Sequence, residues 1–228
     1  MNDLIAPYCK VKITDSHYTY SDLSNHKKII KIPSDNVGKL MIDYAKSSSL
    51  VEAGDLEPMT LAEIVTGEYM PVVYDFRFRF PYYQVGDLLY KDNFLPSISA
   101  EINNLIKDEQ NNTICCTFKS EIWKEENVTK LDVRFLFPFT RISTEKKNGE
   151  LRELLVKSLK DRGLLKLLSS SPIGEWDSII ERGNIIPMFG SVYQIGDNVM
   201  QFHSIENNGA KLHISDVFSI SDSSLIKI

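Results

Sequence analysis

The sequence predicts a single α+β domain with a mixed or antiparallel sheet and flanking helices. Segments with strand-like alternation and segments with helical periodicity both occur, and the strands are partly adjacent and partly separated by helices. The 228 residues, 43% of them hydrophobic, are enough to bury one sizeable core. No stretch approaches the ~18 apolar residues that span a membrane, and the start lacks a signal-peptide pattern. We therefore expect a protein that is not secreted and has no membrane partner.

Charge and cysteine content narrow the function classes. The net charge is −5 and the pI is about 5.5, whereas a dedicated duplex-DNA binder usually has a basic excess. Any nucleic-acid site must therefore be a local patch of Lys and Arg. The three cysteines do not form a secreted disulfide framework. The adjacent Cys115 and Cys116 lie in an apolar run and are interpreted as buried hydrophobes in a reducing, intracellular or viral compartment.

The N-terminal part of the chain predicts an arm, a strand and a helix in that order. Residues 1–26 are polar and rich in Ser and Tyr, which predicts a loosely attached arm before a domain over residues 27–228. Residues 28–32 predict a short strand that Pro33 ends. Ser34 is a candidate N-cap for a helix that runs to about residue 47. The predicted buried face of that helix consists of Val37, Leu40, Met41 and Tyr44.

The strongest strand signal covers residues 72–80, between two prolines. Residues 48–69, which we interpret as irregular and acidic, precede it. After Val72 and Val73, aromatic and charged residues alternate from Tyr74 to Phe80. One face carries Tyr74, Phe76, Phe78 and Phe80. The other carries Asp75, Arg77 and Arg79. We predict a central strand with Tyr74, Phe76 and Phe78 in the core.

The remaining elements alternate between helix and strand patterns. Residues 97–110 predict a helix whose apolar stripe is Ile98, Ile102, Leu105 and Ile106. Residues 113–123 and 130–139 predict two strands joined as a hairpin. Residues 148–168 predict the best helix, with Gly163 as its break or cap and with Leu151, Leu154, Leu155, Leu159 and residues 164–168 as its apolar positions. From residue 185 onward the pattern returns to short strands.

Four segments resemble the archaeo-eukaryotic primase domain that opens the primase–helicase proteins of large DNA viruses. PVVYDFRFRF (residues 71–80) resembles its strand Pro-x-x-x-Asp-Phe-Asp-Phe-Arg-Phe. HKKIIKIPSDNVGKLMIDYA (26–45) resembles the opening that precedes this strand. KLDVRFLFPF (130–139) resembles its Lys-x-Gly-x-His-x-x-Phe-Pro strand, and EWDSIIERGNIIPMFGSVY (175–193) resembles its segment ending in Met-Tyr-Gly-Ser-x-Lys. The four segments occur in the family's order and cover roughly residues 27–195.

The resemblance implies a primase-like fold with an RRM-like catalytic core and assigns roles to particular positions. Such domains use two metal-binding aspartates on the first strand, a third acidic residue, and a histidine that contacts the phosphates of the incoming nucleotide. In this sequence Asp75 and Asp177 are retained as remnants of the catalytic set. Arg77 stands in place of the second aspartate and Arg134 in place of the histidine. In addition, Asp132 replaces the family's glycine, and Tyr193 replaces the lysine after Gly-Ser.

These departures predict that the catalytic site is degenerate. Two-metal transfer needs several carboxylates that hold two cations ~3.5–4 Å apart, and Arg77 adds a permanent positive charge beside Asp75 instead. We therefore expect no functional catalytic residue and no cofactor, with Mg²⁺ or Mn²⁺ needed only if the domain is active after all. Arg77, Arg79, Lys130 and Arg134 remain as candidates for binding nucleotide or nucleic-acid phosphates. Alternatively, these cations form salt bridges with Asp75, Asp132 and Asp177.

The functional hypothesis is a catalytically degenerate primase-like domain that acts as a scaffold or nucleic-acid-contacting subunit. Its expected partners are other viral replication or virion proteins and single-stranded DNA, and its expected location is intracellular, at a viral replication site or in the virion. An active DNA primase–polymerase with an atypical metal site is the first alternative. A structural α+β protein unrelated to primases is the second. Walker A, HExxH, GxSxG and GxGxxG motifs do not occur in the sequence.

Overall fold

Helices and mainly antiparallel sheets make up the part of the chain that the computed structural model describes, which confirms the α+β fold class. The described residues are 17–22, 25–52, 60–64, 68–81, 94–106, 115–120, 123–125, 128–163, 185–188, 191–195, 198–200, 202–207, 210–211 and 226–227. The helices are α1 (Ser34–Glu52), α2 (Phe94–Ile106), α3 (Thr144–Lys146) and α4 (Arg152–Asp161), with a π-helical turn, Lys147–Leu151, between the last two. None of these helices is long and apolar enough to cross a membrane.

The strands form three sheets within the described residues. They are β1 (His17–Asp22), β2 (Asn25–Pro33), β3 (Leu61–Ile64), β4 (Tyr69–Pro81), β5 (Cys116–Ser120), β6 (Trp123–Glu125), β7 (Val128–Ser143), β8 (Ile185–Pro187), β9 (Tyr193–Ile195), β10 (Asn198–Met200), β11 (Phe202–Asn207), β12 (Ala210–Lys211) and β13 (Ile226–Lys227). The largest sheet has the order β12-β11-β5-β7-β13, and β4 and β6 also pair with β7. A second sheet has the order β2-β1-β3-β8, and β9 pairs with β10.

The longest strand pairing of the large sheet is the antiparallel pairing of β4 with β7. Their antiparallel register runs from Tyr69 opposite Ser143 to Pro81 opposite Val128, with an irregularity at Pro71 and Val72. The opposite edge of β7 pairs in succession with β6, β5 and β13. In the described part of the chain β7, rather than β4, is therefore the central strand, and β4 has β7 as its strand neighbour. The strand predicted over residues 72–80 is present within β4, and a second strand neighbour for it, which a central strand needs, stays a prediction.

The main hydrophobic core lies between one face of this sheet and the helices α2 and α4. The predicted aromatic residues of β4, Tyr74, Phe76 and Phe78, are each 1% exposed, as the alternation requires. The rings of Phe76 and Phe78 stack on each other with centroids 5.4 Å apart. Phe76 also meets Phe135 of β7, and Phe78 meets Phe94 of α2, both edge to face, with centroids 5.3–5.4 Å apart. The predicted α2 stripe is also buried, since Ile98, Ile102 and Ile106 belong to this core and Leu105 packs against it.

The predicted helix over residues 148–168 is present with different bounds. It comprises α3, the π-helical turn and α4, and it buries Leu151, Leu155 and Leu159 against the core. Gly163 follows it with a φ of 67°, and its N–H donates to the carbonyl oxygen of Lys160, so this glycine ends the helix as predicted. Leu154 is 43% exposed and does not belong to the buried face. Residues 164–168 lie outside the described residues.

A smaller core forms where α1 packs on the second sheet. Val37, Leu40 and Tyr44 of α1 are buried there with Met41 packed against them, as the helical pattern predicts. The helix begins at Ser34 as expected but extends to Glu52, past the predicted end. Strand β3 (Leu61–Ile64) lies within the segment interpreted as irregular, so that interpretation is wrong there.

The structure differs from the predicted N-terminal arm over residues 17–22 and 25–26. Strand β1 (His17–Asp22) lies between β2 and β3 in the second sheet, and Tyr20 on it is fully buried. Strand β2 begins at Asn25, three residues before the predicted strand. Residues 1–16 lie outside the described residues, so an arm over that part of the chain stays a prediction.

Candidate functional site

The site predicted from the sequence lies on the face of β4 and β7 opposite the aromatic core. Residues at every second position of a strand share a face, so the residues that alternate with Tyr74, Phe76 and Phe78 face away from that core. Asp75 stands directly opposite Arg134 in the register between the two strands. The two residues that the resemblance assigns to the metal and to the nucleotide phosphates are therefore neighbours, although 59 positions separate them in sequence.

Asp75 and Arg134 form a two-pronged ion pair. Arg134 donates from Nε to Oδ1 of Asp75 at 2.7 Å and from a terminal guanidinium nitrogen to Oδ2 at 2.8 Å. The Arg134 side chain is 2% exposed and the Asp75 side chain 15%. This geometry is the parallel fork in which arginine binds carboxylates most strongly. Both carboxylate oxygens of the retained aspartate therefore have an arginine donor, as the salt-bridge alternative expects for this pair.

Two residues further along each strand, the register again sets an aspartate position opposite an arginine position, with the two residue types exchanged between the strands. Arg77 lies opposite Asp132 in register, and Asp132 is 6% exposed. Two Asp-x-Arg tripeptides, residues 75–77 and 132–134, thus run antiparallel, so that each aspartate position faces an arginine position. Cross-strand pairs of opposite charge stabilise a sheet, and like charges directly opposite destabilise it.

The other predicted binding residues are placed by their backbone alone. Arg79 lies opposite Lys130 in the same register. The side chains of Arg77, Arg79 and Lys130, and the whole of Asp177, lie outside the described part of the structure, so their assignment as binding residues or as a remnant stays a prediction. Among the described residues, no group of three or more His, Cys, Asp or Glu side chains could hold a metal ion.

Ser191, in the Gly-Ser step of the fourth resembling segment, has a structural role in the described part of the chain. Its hydroxyl donates to the carbonyl oxygen of Leu61 at 2.8 Å and accepts the Leu61 N–H at 3.0 Å. A serine hydroxyl has one proton, so the Tyr44 hydroxyl, 2.8 Å away, donates to it. Burial raises the pKa of Tyr44, in keeping with its role as a donor. Ser191 therefore ties its segment to β3 and to α1.

We expect Ser191→Ala to lower the free energy of unfolding by about 1–3 kcal/mol, because it leaves the Leu61 N–H and the Tyr44 hydroxyl buried without this partner. Tyr44→Phe removes one donor and should cost less. Urea unfolding followed by circular dichroism measures both, and Ser47→Ala, whose part-buried hydroxyl donates to the Asp43 carbonyl oxygen of its own helix, is the control. If Ser191→Ala were as stable as the wild type, the hydrogen bonds of Ser191 to Leu61 and Tyr44 would not stabilise the fold.

The two adjacent cysteines are buried, as predicted. Burial raises the pKa of Cys115 to about 11 and that of Cys116 to about 12. Thiols with such pKa values contain little of the reactive thiolate at neutral pH. Both cysteines are free and buried in the structure. Cys116 is the first residue of β5, and Cys115, just before it, belongs to the main core.

Sequence reasoning missed two residues of consequence, Ser191 and Glu63. Asp132 was already a candidate partner in the salt-bridge alternative, and the sequence lacked only the register that sets it opposite Arg77. Ser191 was interpreted as part of a motif, with no indication of its hydrogen bonds. Glu63, a buried carboxyl group on β3, lies in a segment that the sequence pattern did not identify as a strand.

The comparison with known families identifies the family of this domain. A family model described as the C962R protein N-terminal AEP domain matches residues 19–205. A search among curated proteins gives no match. The matched region contains β4, β7 and the Asp75–Arg134 pair and covers most of the chain. The chain therefore belongs to the C962R N-terminal family of archaeo-eukaryotic primase domains.

Proposed function

We propose that this primase-like domain does not transfer nucleotides and instead serves as a scaffold or nucleic-acid-contacting subunit of a viral replication or virion assembly. The observation that carries the proposal is the fork between Arg134 and Asp75. The family resemblance assigns Asp75 to metal binding, and here an arginine occupies both of its oxygens. The alternating charges of the neighbouring positions support the same conclusion.

A divalent cation has to compete with Arg134 for the Asp75 carboxylate. Arginine keeps its charge at every pH that proteins tolerate, so the pair does not open by deprotonation of the guanidinium. A cation that shared the carboxylate with Arg134 would stand beside a fixed positive charge in a site largely closed to water, where Coulomb repulsion is weakly screened. Metal binding at Asp75 therefore requires the ion pair to break first.

The charge balance of the site supports the same proposal. Positions 75, 77, 132 and 134 contribute two aspartates and two arginines, and their net charge is zero. Two-metal catalysis depends on an excess of carboxylates that offsets about four cationic charges. A set of residues that is neutral without metal has no such excess. We infer that the exchanged charges hold the two strands together where the metals of an active primase would neutralise carboxylates.

The direct test is nucleotide incorporation by the purified chain on single-stranded and primed DNA templates, with Mg²⁺ or Mn²⁺. We expect no incorporation above the background set by Asp75→Ala. Incorporation by the wild type that Asp75→Ala abolishes would overturn the proposal in favour of an active primase with an atypical metal site.

A variant that carries the family's residue types at two positions provides the matched comparison. The double substitution Arg77→Asp with Arg134→His restores the residue types that the resemblance assigns to these positions. We expect this variant to bind Mn²⁺ more tightly than the wild type in a calorimetric titration, because it frees Asp75 and adds a second carboxylate. If the wild type binds Mn²⁺ as tightly as this variant, the ion pair does not block the site.

A further inference from the structure

The outward face of helix α1 carries an exposed isoleucine. The helix buries Val37, Leu40 and Tyr44 in the smaller core, and Ile42 lies on its opposite side with 55% of its surface exposed. A single exposed apolar side chain needs no explanation of its own. The residues around Ile42 therefore decide whether this face has a role.

Gly38 lies about one turn before Ile42 on the same face and is exposed. A glycine inside a helix is unfavourable relative to alanine. Apart from the helix's own backbone and the adjoining residues, nothing lies within 4 Å of the Cβ atom that alanine would add at this position. Packing within the chain therefore does not require this glycine. The missing side chain leaves room beside Ile42 for a side chain of another molecule.

The charged residues of this face form a pattern that complements itself. Asp35, Lys39 and Lys46 are exposed, and the Asp43 side chain is 37% exposed. At 3.6 residues per turn, Asp35, Ile42 and Lys46 lie along the middle of the outward face, with Gly38 towards one side and Lys39 and Asp43 towards the other. An acidic residue thus begins the outward face and a basic residue ends it.

Two copies of α1 that pack antiparallel bring these residues together in pairs. A two-fold axis perpendicular to both helices reverses the order of the residues and keeps each side of the face on the same side. With the axis level with residues 40 and 41, the contacts between one copy and the other are Asp35 to Lys46, Lys39 to Asp43, and Ile42 to Gly38. Each contact occurs twice, because a two-fold interface uses the same surface of both copies.

We propose that the outward face of α1 is a self-association surface, through which two copies of this chain form an antiparallel helix pair. Ile42 of each copy fills the space over Gly38 of the other, and ion pairs flank these contacts. Lys46 contacts Asp43 of its own helix at 3.5 Å and keeps 72% of its side chain exposed, so an acidic residue of a second copy can reach it. The inference goes beyond the proposed function and does not depend on it.

The charges favour the antiparallel arrangement over the parallel one. In a parallel pair related by a two-fold axis, each residue lies near its own counterpart, so Asp35 would face an aspartate and Lys46 a lysine. Like charges placed opposite each other across an interface suppress that arrangement. Exposed ion pairs add little affinity individually, so in this interface they set the direction of packing, and the contact of Ile42 with Gly38 supplies the apolar burial.

The association should be weak. The contact covers residues 35–46, about three helical turns of each copy, and is smaller than standard interfaces, which bury about 800 Å² per partner. We therefore expect a monomer–dimer equilibrium with a dissociation constant above about 10 μM. Sedimentation equilibrium of the purified chain from about 5 μM to about 500 μM measures it, and the average mass of the wild type should rise towards that of a dimer.

Ile42→Lys should weaken the association by about tenfold or more, because it replaces the apolar contact with a charge that loses water on binding. The substituted position is exposed, so the monomer should keep its fold and its melting temperature. Leu154→Lys is the matched control, since Leu154 of α4 is also an exposed apolar residue, at 43%. This control should associate as the wild type does.

Gly38→Gln separates the interface from the stability of the helix. Glutamine favours helix more than glycine does, and its Cβ meets no obstacle at this position, so the melting temperature should rise. The same side chain fills the space that Ile42 of the second copy needs, so the association should weaken by about tenfold. A variant that melts higher and associates as tightly as the wild type would contradict the contact over Gly38.

Mixing two charge variants tests the direction of the pair. Asp35→Lys sets two basic residues opposite each other, and Lys46→Asp sets two acidic residues opposite each other, so each variant alone should associate more weakly than the wild type. In a mixture, the basic face of the first variant meets the acidic face of the second. Energy transfer between donor-labelled and acceptor-labelled copies should therefore be stronger for the mixture than for either variant alone.

The outcomes separate this inference from the proposed function. If the wild type is monomeric over the whole concentration range, the self-association surface does not exist, and the incorporation assay still decides the proposed function. If the wild type associates but Ile42→Lys leaves the association unchanged, the copies meet through another surface and the assignment to α1 is overturned. Recovery of association in the mixed charge variants would support the antiparallel pair, and its absence would contradict it.

Discussion

Arg134→Ala is expected to lower the free energy of unfolding by about 2–4 kcal/mol, because it removes both donors from the Asp75 carboxylate. Breaking a fully buried ion pair costs about 3–5 kcal/mol when the remaining charge has no partner. Asp75 keeps 15% of its side-chain surface in contact with solvent. Water can therefore solvate part of the Asp75 carboxylate in the variant, which reduces the expected loss in the free energy of unfolding.

A double-mutant cycle identifies the pair as the cause. Asp75→Leu with Arg134→Met should recover much of the stability that either single substitution loses, since it leaves no charge without a partner. The control pair is Asp43 and Lys46 on α1, joined at 3.5 Å with Lys46 largely exposed. Lys46→Met should change stability by less than about 1 kcal/mol. Urea unfolding followed by circular dichroism measures all of these variants.

The Arg134→Ala variant also distinguishes the two roles considered for Arg134, which are to pair with Asp75 and to bind phosphate. As a structural partner of Asp75, it should lose stability on replacement by alanine and leave the affinity for single-stranded DNA unchanged. As a phosphate ligand, it should reduce the salt slope by up to about one unit while stability changes little. The second result would contradict the salt-bridge interpretation and would indicate that Arg134 binds phosphate.

The strand that carries the site could be predicted from sequence because its signal is local. Strict alternation of aromatic and charged residues from Tyr74 to Phe80 specifies both a strand and its two faces, and the buried side chains of Tyr74, Phe76 and Phe78 confirm it. The partner of Asp75 could not be predicted from the segment itself. It depends on the register between β4 and β7, and a shift of that register by one residue would set Asp75 opposite an apolar position of β7.

The elements that sequence reasoning missed lack such a local signal. Strand β3 has four residues with no alternation, and three of them are buried, including the carboxyl group of Glu63. Strand β1 has a polar composition, and it is a strand because its backbone pairs with β2 on one side and with β3 on the other. Pairing of this kind appears in the fold and not in the composition of the strand.

Glu63 should make the stability of the protein fall as the pH rises from about 4.5 to about 8. This glutamate lies on β3 between Tyr20 of β1 and Ile186 of β8, and it is 2% exposed. Its Oε1 atom has no hydrogen-bond partner in the described part of the chain. Burial raises the pKa of its carboxyl group from 4.5 to about 8, although the positive charge of Arg141 lowers the pKa in part.

The direction of the effect follows from proton binding in the two states. Below pH 4.5 the carboxyl group is protonated in both states, and the folded protein bears no penalty from it. Between the two pKa values the unfolded chain releases this proton and the folded chain retains it, so stability falls by up to about 1.4 kcal/mol per pH unit. Above about 8 the folded state ionises as well, and the contribution of this group becomes constant.

Glu63→Gln should remove this slope, because the amide does not titrate and has nearly the same shape. We expect the variant to be more stable than the wild type near pH 8, by an amount that shrinks towards pH 5. Glu153→Gln, at an exposed position of α4, is the matched control for the loss of one carboxylate, and it should shift stability by less than about 0.5 kcal/mol. Urea unfolding at closely spaced pH values gives each profile.

Arg141→Met provides the second arm of the experiment. Without the attraction of Arg141, the pKa of Glu63 should rise further, and the decline in stability should continue to a higher pH than in the wild type. The combination of Arg141→Met with Glu63→Gln should again abolish the slope. A wild-type profile that is flat between pH 5 and 8, or a Glu63→Gln profile that still falls, would show that the carboxyl group ionises freely in the folded state. Burial of Glu63 beside β1 and β8 would then carry no electrostatic cost.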